Sequence, residues 1–459
     1  MRPLEVKPIL LYGEYKRMEK VSWRPWGGIQ SEADANKEAE RIKEELKDLE
    51  KRASFPLSFQ SLTITCSVEE IRTLDVEADV LLVYAAGAQE PATKDPLELL
   101  VSIGKPLLFF LRKTSGPLYL WYEILHPRFL RKNTFDEIVQ PVSVEDVVVD
   151  DYDELLWRLR ALSALKSTKG ETVISIGAPG GWGIGEVAVQ RAVDNWDLHV
   201  EVVTYQDLAK RIEEMHASKK ALETAKNEAE SYLSDDQVKL TTQKDFIINA
   251  FVLKAVLEEY LQKFDADILT IGQCMSTIIP ISETTACLPI SLLNDAGYIA
   301  FCESDFVVIP AGILLQRISG KPVFLVDPTF PHKGEVTVAH CTAPRRMDGK
   351  NLEPTEITTH FESDYGAAPQ VKMRKGQVVT VIDPAFSGKE WIGFKGRILD
   401  NPTLPICRSQ IDLAIDGDWK KLLQEMKGFH WLIVYGDYLA EFGYAVKKAG
   451  VEWIDLSQK

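Results

Sequence analysis

Short apolar runs, recurring with helical spacers between them, constrain this chain more than any other feature. Leu57-Ser58-Phe59 on to Cys66, Ala78-Asp79-Val80-Leu81-Leu82-Val83-Tyr84 and Lys105-Pro106-Leu107-Leu108-Phe109-Phe110-Leu111 are each bounded by turn residues. None approaches the roughly 18 consecutive apolar residues needed to cross a bilayer. The spacers read as helices: residues 32–53 are rich in Glu, Lys and Ala, with Ile42, Leu46 and Leu49 at helical spacing on an otherwise solvated surface. Alternation of this kind builds an open parallel sheet covered by helices.

A second cycle opens at Glu171-Thr172-Val173-Ile174-Ser175-Ile176-Gly177 and continues through Val200-Glu201-Val202-Val203 into a long charged helical stretch, 206–232. A helix over 245–263 then leads to the strand Ala266-Asp267-Ile268-Leu269-Thr270-Ile271. A helix over 291–297 and the strands Gly297-Tyr298-Ile299-Ala300-Phe301 and Pro322-Val323-Phe324-Leu325-Val326-Asp327 are expected to complete this second sheet. Beyond about residue 330 the pattern turns to period-two strands such as Gln377-Val378-Val379-Thr380-Val381-Ile382, with little helical periodicity before residue 418. The expected fold is α/β: two Rossmann-like open parallel-sheet domains, 1–165 and 166–330, followed by a mostly antiparallel β-barrel domain, 331–459. A length of 459 residues suits about three domains.

Composition narrows the function. A net charge of −15 repels nucleic acid and anionic lipid, so neither a nucleic-acid partner nor a membrane is expected. The first residues lack the apolar core of a signal peptide, which makes a cytoplasmic location the expectation. Cys66, Cys274, Cys287, Cys302, Cys341 and Cys407 form no CxxC pair and no dense spacing, so buried reduced thiols are expected rather than a zinc knuckle or a disulfide framework.

Several segments carry chemistry. Gly177-Ala178-Pro179-Gly180-Gly181-Trp182-Gly183-Ile184-Gly185-Glu186 follows a strand, but its glycines miss the offsets of a dinucleotide-binding fingerprint and Pro179 intrudes. It reads instead as a tight strand-to-helix turn lining a cleft. Glu303, in Cys302-Glu303-Ser304-Asp305, sits at a strand's carboxyl end, where open α/β sheets place ligands; Ser304 and Asp305 can be read as helix caps. Asp327 repeats the strand-tip arrangement. His340, His360 and His430 lie late in the chain, and each can also be read as a hydrogen-bonded, half-buried histidine. Two carboxylates and an imidazole around an open position suit Mn²⁺ or a similar divalent ion that also holds substrate oxygens.

The runs Thr285-Ala286-Cys287-Leu288-Pro289, Asn294-Asp295-Ala296-Gly297 and Cys302-Glu303-Ser304-Asp305 resemble the central-domain signature of the L-fucose isomerase and L-arabinose isomerase superfamily. Asp327, His340-Cys341, Thr359-His360-Phe361-Glu362-Ser363, Cys407-Arg408-Ser409-Gln410 and His430-Trp431 are similar in order to landmarks of its short L-fucose-isomerase-like members. The resemblance covers roughly residues 170 to 459; Trp23-Arg24-Pro25-Trp26-Gly27-Gly28 looks like an N-terminal landmark, or a surface turn with packed tryptophans. It implies Glu303, Asp327 and His430 as metal ligands, with Glu303 and Asp327 also moving the proton. It further implies Gln273 on sugar hydroxyls, His340 as a ligand or a substrate-side group, and Arg24 and Trp26 covering a neighbouring chain's site in a homotrimer or homohexamer.

The resemblance thus implies a metal-dependent aldose–ketose isomerase of carbohydrate metabolism, working on a monosaccharide such as L-fucose, D-arabinose or L-arabinose through a cis-enediol. Two other readings are open: a catalytically divergent, isomerase-like sugar-binding protein, and a metal-dependent hydrolase or lyase using the same ligands.

Overall fold

A computed structural model describes residues 2–22, 24, 26–74, 77–87, 94–119 and 142–457. Trp23 and Pro25 of the N-terminal landmark lie outside the described residues. The chain forms two compact units, Met1–Ser163 and Ala164–Lys459. The first contains, in order, β1 (Leu4–Leu11), α1 (Glu32–Arg52), β2 (Leu57–Phe59), β3 (Thr63–Thr65), α2 (Val68–Arg72), β4 (Val80–Ala85), α3 (Lys94–Ser102), β5 (Leu107–Leu111), β6 (Val147–Val149) and α4 (Tyr152–Thr168), the last running across the division. All pairings are parallel, in the order β2-β1-β4-β5-β6, with β3 also on β1. The run expected as one strand from Leu57 to Cys66 is therefore two short strands on the same neighbour. β4 and β5 are buried along their whole length, which is why they read as unbroken apolar runs. Helix α1 starts at Ser31, whose side chain accepts from Asp34 N, and buries Ala35, Ala39, Ile42, Leu46 and Leu49 along one stripe.

The second unit opens with β7 (Thr172–Ile176), α5 (Glu186–Trp196), β8 (His199–Val203), α6 (Tyr205–Ala217), α7 (Lys219–Leu233), β9 (Val238–Leu240), α8 (Lys244–Lys263), β10 (Ile268–Ile271), α9 (Ile279–Ser282), α10 (Cys287–Asp295), β11 (Ile299–Cys302) and α11 (Ile309–Ser319). The charged stretch expected over 206–232 breaks at Ser218, which ends α6 and caps α7. The helix expected over 291–297 begins earlier and ends at Asp295. Strands β11-β10-β7-β8 form a parallel sheet whose order reverses between β7 and β10, so a crevice opens beyond their carboxyl ends. α8 packs Ile247, Val252, Val256 and Leu257 into the core under it.

The remaining elements are β12 (Phe324–Pro328), β13 (Glu335–His340), β14 (Thr355–Thr358), β15 (Ala368–Val371), β16 (Val378–Pro384), β17 (Glu390–Asp400), β18 (Ser409–Asp416), α12 (Trp419–Glu425), β19 (Trp431–Tyr435), α13 (Leu439–Lys448) and β20 (Glu452–Asp455). Six strands close into an antiparallel barrel in the order β16-β19-β12-β13-β18-β17, with β16 pairing back to β17 and β20 added in parallel outside β17. β14, β15 and β9 make a separate three-stranded sheet. The expected architecture, parallel α/β sheets followed by a β-barrel, is the architecture present.

One placement is corrected. The strand ending at Asp327 was expected in the central sheet, but β12 pairs with β13 and β19 in the barrel. Phe324 and Val326 point into the barrel core, and Leu325 on the other face is equally buried. Cover on both faces leaves the unbroken apolar signature that a parallel strand also shows. No single helix among the described residues is long and apolar enough to cross a membrane.

Candidate metal centre

Strand register assembles the site. β12 pairs Val326 with Trp431 of β19 and Asp327 with Ala339 of β13. One step along those ladders, His430 stands just before β19 and His340 ends β13, so both imidazoles arrive beside Asp327 at one end of the barrel. Glu303 comes from the other layer, directly after β11. Its backbone is left-handed (φ 65°), as is that of Ser304 (φ 49°). Two consecutive non-glycine residues in this region are costly, and such strain persists where surrounding structure enforces it, often at functional sites.

Glu303 Oε1 lies 3.5 Å from His340 Nε2 and Oε2 lies 3.4 Å from His430 Nε2; Asp327 Oδ1 lies 3.3 Å from His430 Nε2. None of these approaches supplies His430 Nε2 or Asp327 Oδ1 with a hydrogen bond, and both atoms are buried without a partner. Such orphans normally cost about 1–3 kcal/mol each. Donor atoms of Glu303, His340 and His430 all lie within 4.8 Å of one another, so these three could hold a metal ion. The orphaned atoms and the donor chemistry both fit such an ion.

Behind the imidazoles stand fixed partners. His430 Nδ1 donates to Asp305 Oδ2 at 2.7 Å, while Asp305 Oδ1 accepts from the backbone N–H groups of Trp182 (3.0 Å) and Val307 (3.1 Å). Asp305 is buried and is no helix cap: α11 begins after Val308. A proton held on Nδ1 turns the Nε2 lone pair toward Glu303 and Asp327, the carboxylate–histidine arrangement found behind metal ligands. His340 Nδ1 pairs with Thr342 Oγ1 at 2.9 Å and likewise presents Nε2. The glycine-rich turn after β7 serves this arrangement: Gly180 forms a bridge with Asp305, and Gly181 leaves the room that Ala188 Cβ takes up, 2.3 Å from where a side chain would begin.

The electrostatics separate the two carboxylates. Burial works against ionisation of Glu303, but the His340 and His430 imidazoles outweigh it and hold its carboxyl below the ordinary range. Asp327 is pushed up, first by burial and then by the Glu303 charge, against the pull of the same imidazoles. Burial would lower both histidines; Asp305 and Glu303 push His430 up to about 10, and Glu303 and Asp327 raise His340.

The site opens into a cavity of about 510 Å³, within the range of small-molecule pockets. Gln273 borders it, after β10 and in left-handed backbone (φ 48°), with Oε1 accepting from Thr277. Trp182 and Phe429 close one wall as a parallel stack, rings 3.7 Å apart at 3°. Glu303, Asp327, His340, His430 and Gln273 are thus brought together. Arg24 and Trp26 lie in the first unit on the connection between β1 and α1, where Arg24 sits over the Tyr15 ring at 5.0 Å. The roles of Asp305, Trp182 and Phe429 carry no signal in the sequence, because their partners are more than a hundred residues away.

The thiols depart from the expectation. All six are free, but Cys66 is exposed and Cys274 and Cys407 are only partly covered, leaving Cys287, Cys302 and Cys341 buried. Compared with known proteins, the chain matches no protein-family model and no curated protein.

Proposed function

We propose that this protein is a metal-dependent aldose–ketose isomerase acting on a small monosaccharide, with Glu303, His340 and His430 placed to hold Mn²⁺ or a similar divalent ion and Asp327 beside them as the second carboxylate. The observation that carries the reading is His430 Nε2, buried without a hydrogen-bond partner 3.4 Å from Glu303 and 3.3 Å from Asp327, two carboxylates that line one cavity. The cation would act as a Lewis acid toward the sugar's O1 and O2, where the oxyanion develops.

The chain's own groups supply the proton chemistry. Glu303, kept ionised by two imidazoles, takes the proton from C2 and passes it to O1 to give the cis-enediol; Asp327, whose raised pKa lets it hold a proton, delivers it to C1 and recovers one from the O2 hydroxyl as C2=O2 forms. Gln273 at the rim orients a hydroxyl, and the Trp182–Phe429 stack bounds the sugar and excludes water. Asp305 keeps the His430 ring turned toward the site.

Incubating the protein with Mn²⁺ and a panel of L-fucose, D-arabinose, L-arabinose and related aldoses tests this. Ketose forms from at least one sugar, EDTA abolishes turnover, and Glu303→Gln lowers it by about 10²-fold or more, the usual worth of a positioned acid–base group. A panel without any ketose, or full turnover in Glu303→Gln, would overturn the reading.

A further inference from the structure

The cavity has a second polar face that the metal chemistry does not use. His360 and Glu362 line it from the turn between β14 and β15. That turn is held to a fixed shape. Arg408 donates from Nε to Thr359 O (2.6 Å) and from Nη2 to Thr359 Oγ1 (3.1 Å), and its guanidinium lies over the Phe361 ring at 5.2 Å. Thr359 Oγ1 in turn donates to Asp364 Oδ1 at 2.8 Å, and the Tyr365 ring packs on Phe246 at 4.4 Å. Arg408 is thus engaged with the turn itself, and among the described residues no Lys or Arg forms an ion pair with Glu362 or lines the cavity.

His360 is buried, and Ser363 N donates to its Nδ1 at 3.3 Å, so the proton of the neutral ring sits on Nε2. Nε2 stands 4.0 Å from Glu362 Oε2, too far for a hydrogen bond, and the Glu362 side chain is 60% exposed. An N–H donor and a carboxylate acceptor held apart in this way complement one hydroxyl group, which accepts from the first and donates to the second. A methyl group offers neither contact. A phosphate brings only negative charge and acceptors to a face that already carries a carboxylate. The reacting carbons belong to Glu303, Asp327, His340 and His430, so what His360 and Glu362 meet is the other end of the sugar. We propose that these two residues form a specificity subsite for a terminal hydroxymethyl group of the substrate, selecting aldoses that end in hydroxymethyl over 6-deoxy aldoses of the same configuration. The proposal rests on the isomerase reading for the reacting end, but the subsite works by hydrogen bonding alone and binds without any reaction.

Galactitol and L-fucitol are the probes. They differ by one terminal hydroxyl, present in galactitol and replaced by hydrogen in L-fucitol, and neither can isomerise. Calorimetric titration of the Mn²⁺-loaded protein gives galactitol an advantage of about 10-fold over L-fucitol, the usual worth of a hydrogen bond to a charged group. Glu362→Ala cuts that advantage to about 2-fold or less while keeping Mn²⁺ affinity, which also reports that the variant folds. Glu362→Gln, whose amide oxygen still accepts, restores part of it. A role confined to bracing the turn would weaken both alditols equally. Equal binding of the two alditols to the natural chain, or an advantage that survives in Glu362→Ala, would overturn the subsite. Ketose formed from an aldose without any alditol preference overturns the subsite and leaves the isomerase reading standing; the preference without ketose from any aldose does the reverse. If neither alditol binds, both fall.

Discussion

At the scale of single residues, Asp305 is the most informative. Its carboxylate accepts from two backbone N–H groups and from His430 Nδ1, so it fixes which imidazole nitrogen faces the cavity. Asp305→Asn keeps the volume but presents an N–H in place of an acceptor oxygen. The expected result is a 10- to 100-fold loss of Mn²⁺ affinity by titration with a spectroscopic readout, with the far-ultraviolet spectrum unchanged; undiminished affinity would refute the role. His430 supplies a pH test. Its proton is held up to about 10 by Asp305 and Glu303, and a metal ligand must shed it. Apparent Mn²⁺ affinity therefore rises from about pH 6 to about pH 8, by roughly tenfold per unit for each proton displaced. A flat profile would show that the ion binds without His430. Glu303 and Asp327 were legible in the sequence because strand tips are marked by the apolar runs they end. Asp305 was not: two residues past a strand, a buried acid and a helix cap look alike until the partner is known.

At the scale of elements, the barrel's register does most of the positioning, and the segment leading into β19 delivers His430. Asp383 on β16 holds that segment by accepting from Lys427 N (2.9 Å) and Gly428 N (2.7 Å). A side chain at Gly428 would begin 2.4 Å from Pro384 O, so only glycine lets the segment pass. Burial pushes the Asp383 carboxyl up to about 7 despite the two N–H donors. The unfolded value is about 3.9. A raised acid binds its proton more tightly when folded, so its contribution to stability is complete below about pH 4 and is lost as pH rises to about 7. Asp383→Asn should flatten that part of the stability profile, removing up to about 1.4 kcal/mol per pH unit, as read by urea unfolding at several pH values. An unchanged slope would assign the dependence to other groups. The apolar runs made strands and helices legible, but not which sheet β12 joins. Both faces of that strand are covered, and only its partners, β13 and β19, distinguish barrel from parallel sheet.

At the scale of the whole molecule, order along the chain and assembly in space diverge. Parallel sheets followed by a barrel could be read from the change of periodicity, because period two and helical spacing are properties of a single segment. Convergence of Glu303, Asp327, His340 and His430 was implied only by the resemblance and not by any pattern within a segment, since it depends on which strands become neighbours. The first unit carries Met18, Val21 and Trp26, each more than half exposed, on one connection between β1 and α1. Clustered exposed apolar groups of this kind mark interaction surfaces. We expect them to be covered in a homotrimer or homohexamer, as the family resemblance implies for Trp26 and Arg24. Sedimentation should give a trimer or larger for the natural chain and a smaller species for Val21→Asp; a monomeric natural chain would contradict this.

In the proposed function this site moves a proton between adjacent sugar carbons with the help of a divalent ion. Nuclear magnetic resonance of an aldose substrate in D₂O, with Mn²⁺-loaded protein and then with Mn²⁺ removed before the spectra are taken, reads this directly. Ketose carrying solvent deuterium at C1 is expected, formed only when the protein was metal-loaded and absent with Glu303→Gln. Ketose formed equally by metal-stripped protein or by Glu303→Gln, or no ketose from any aldose, would contradict it.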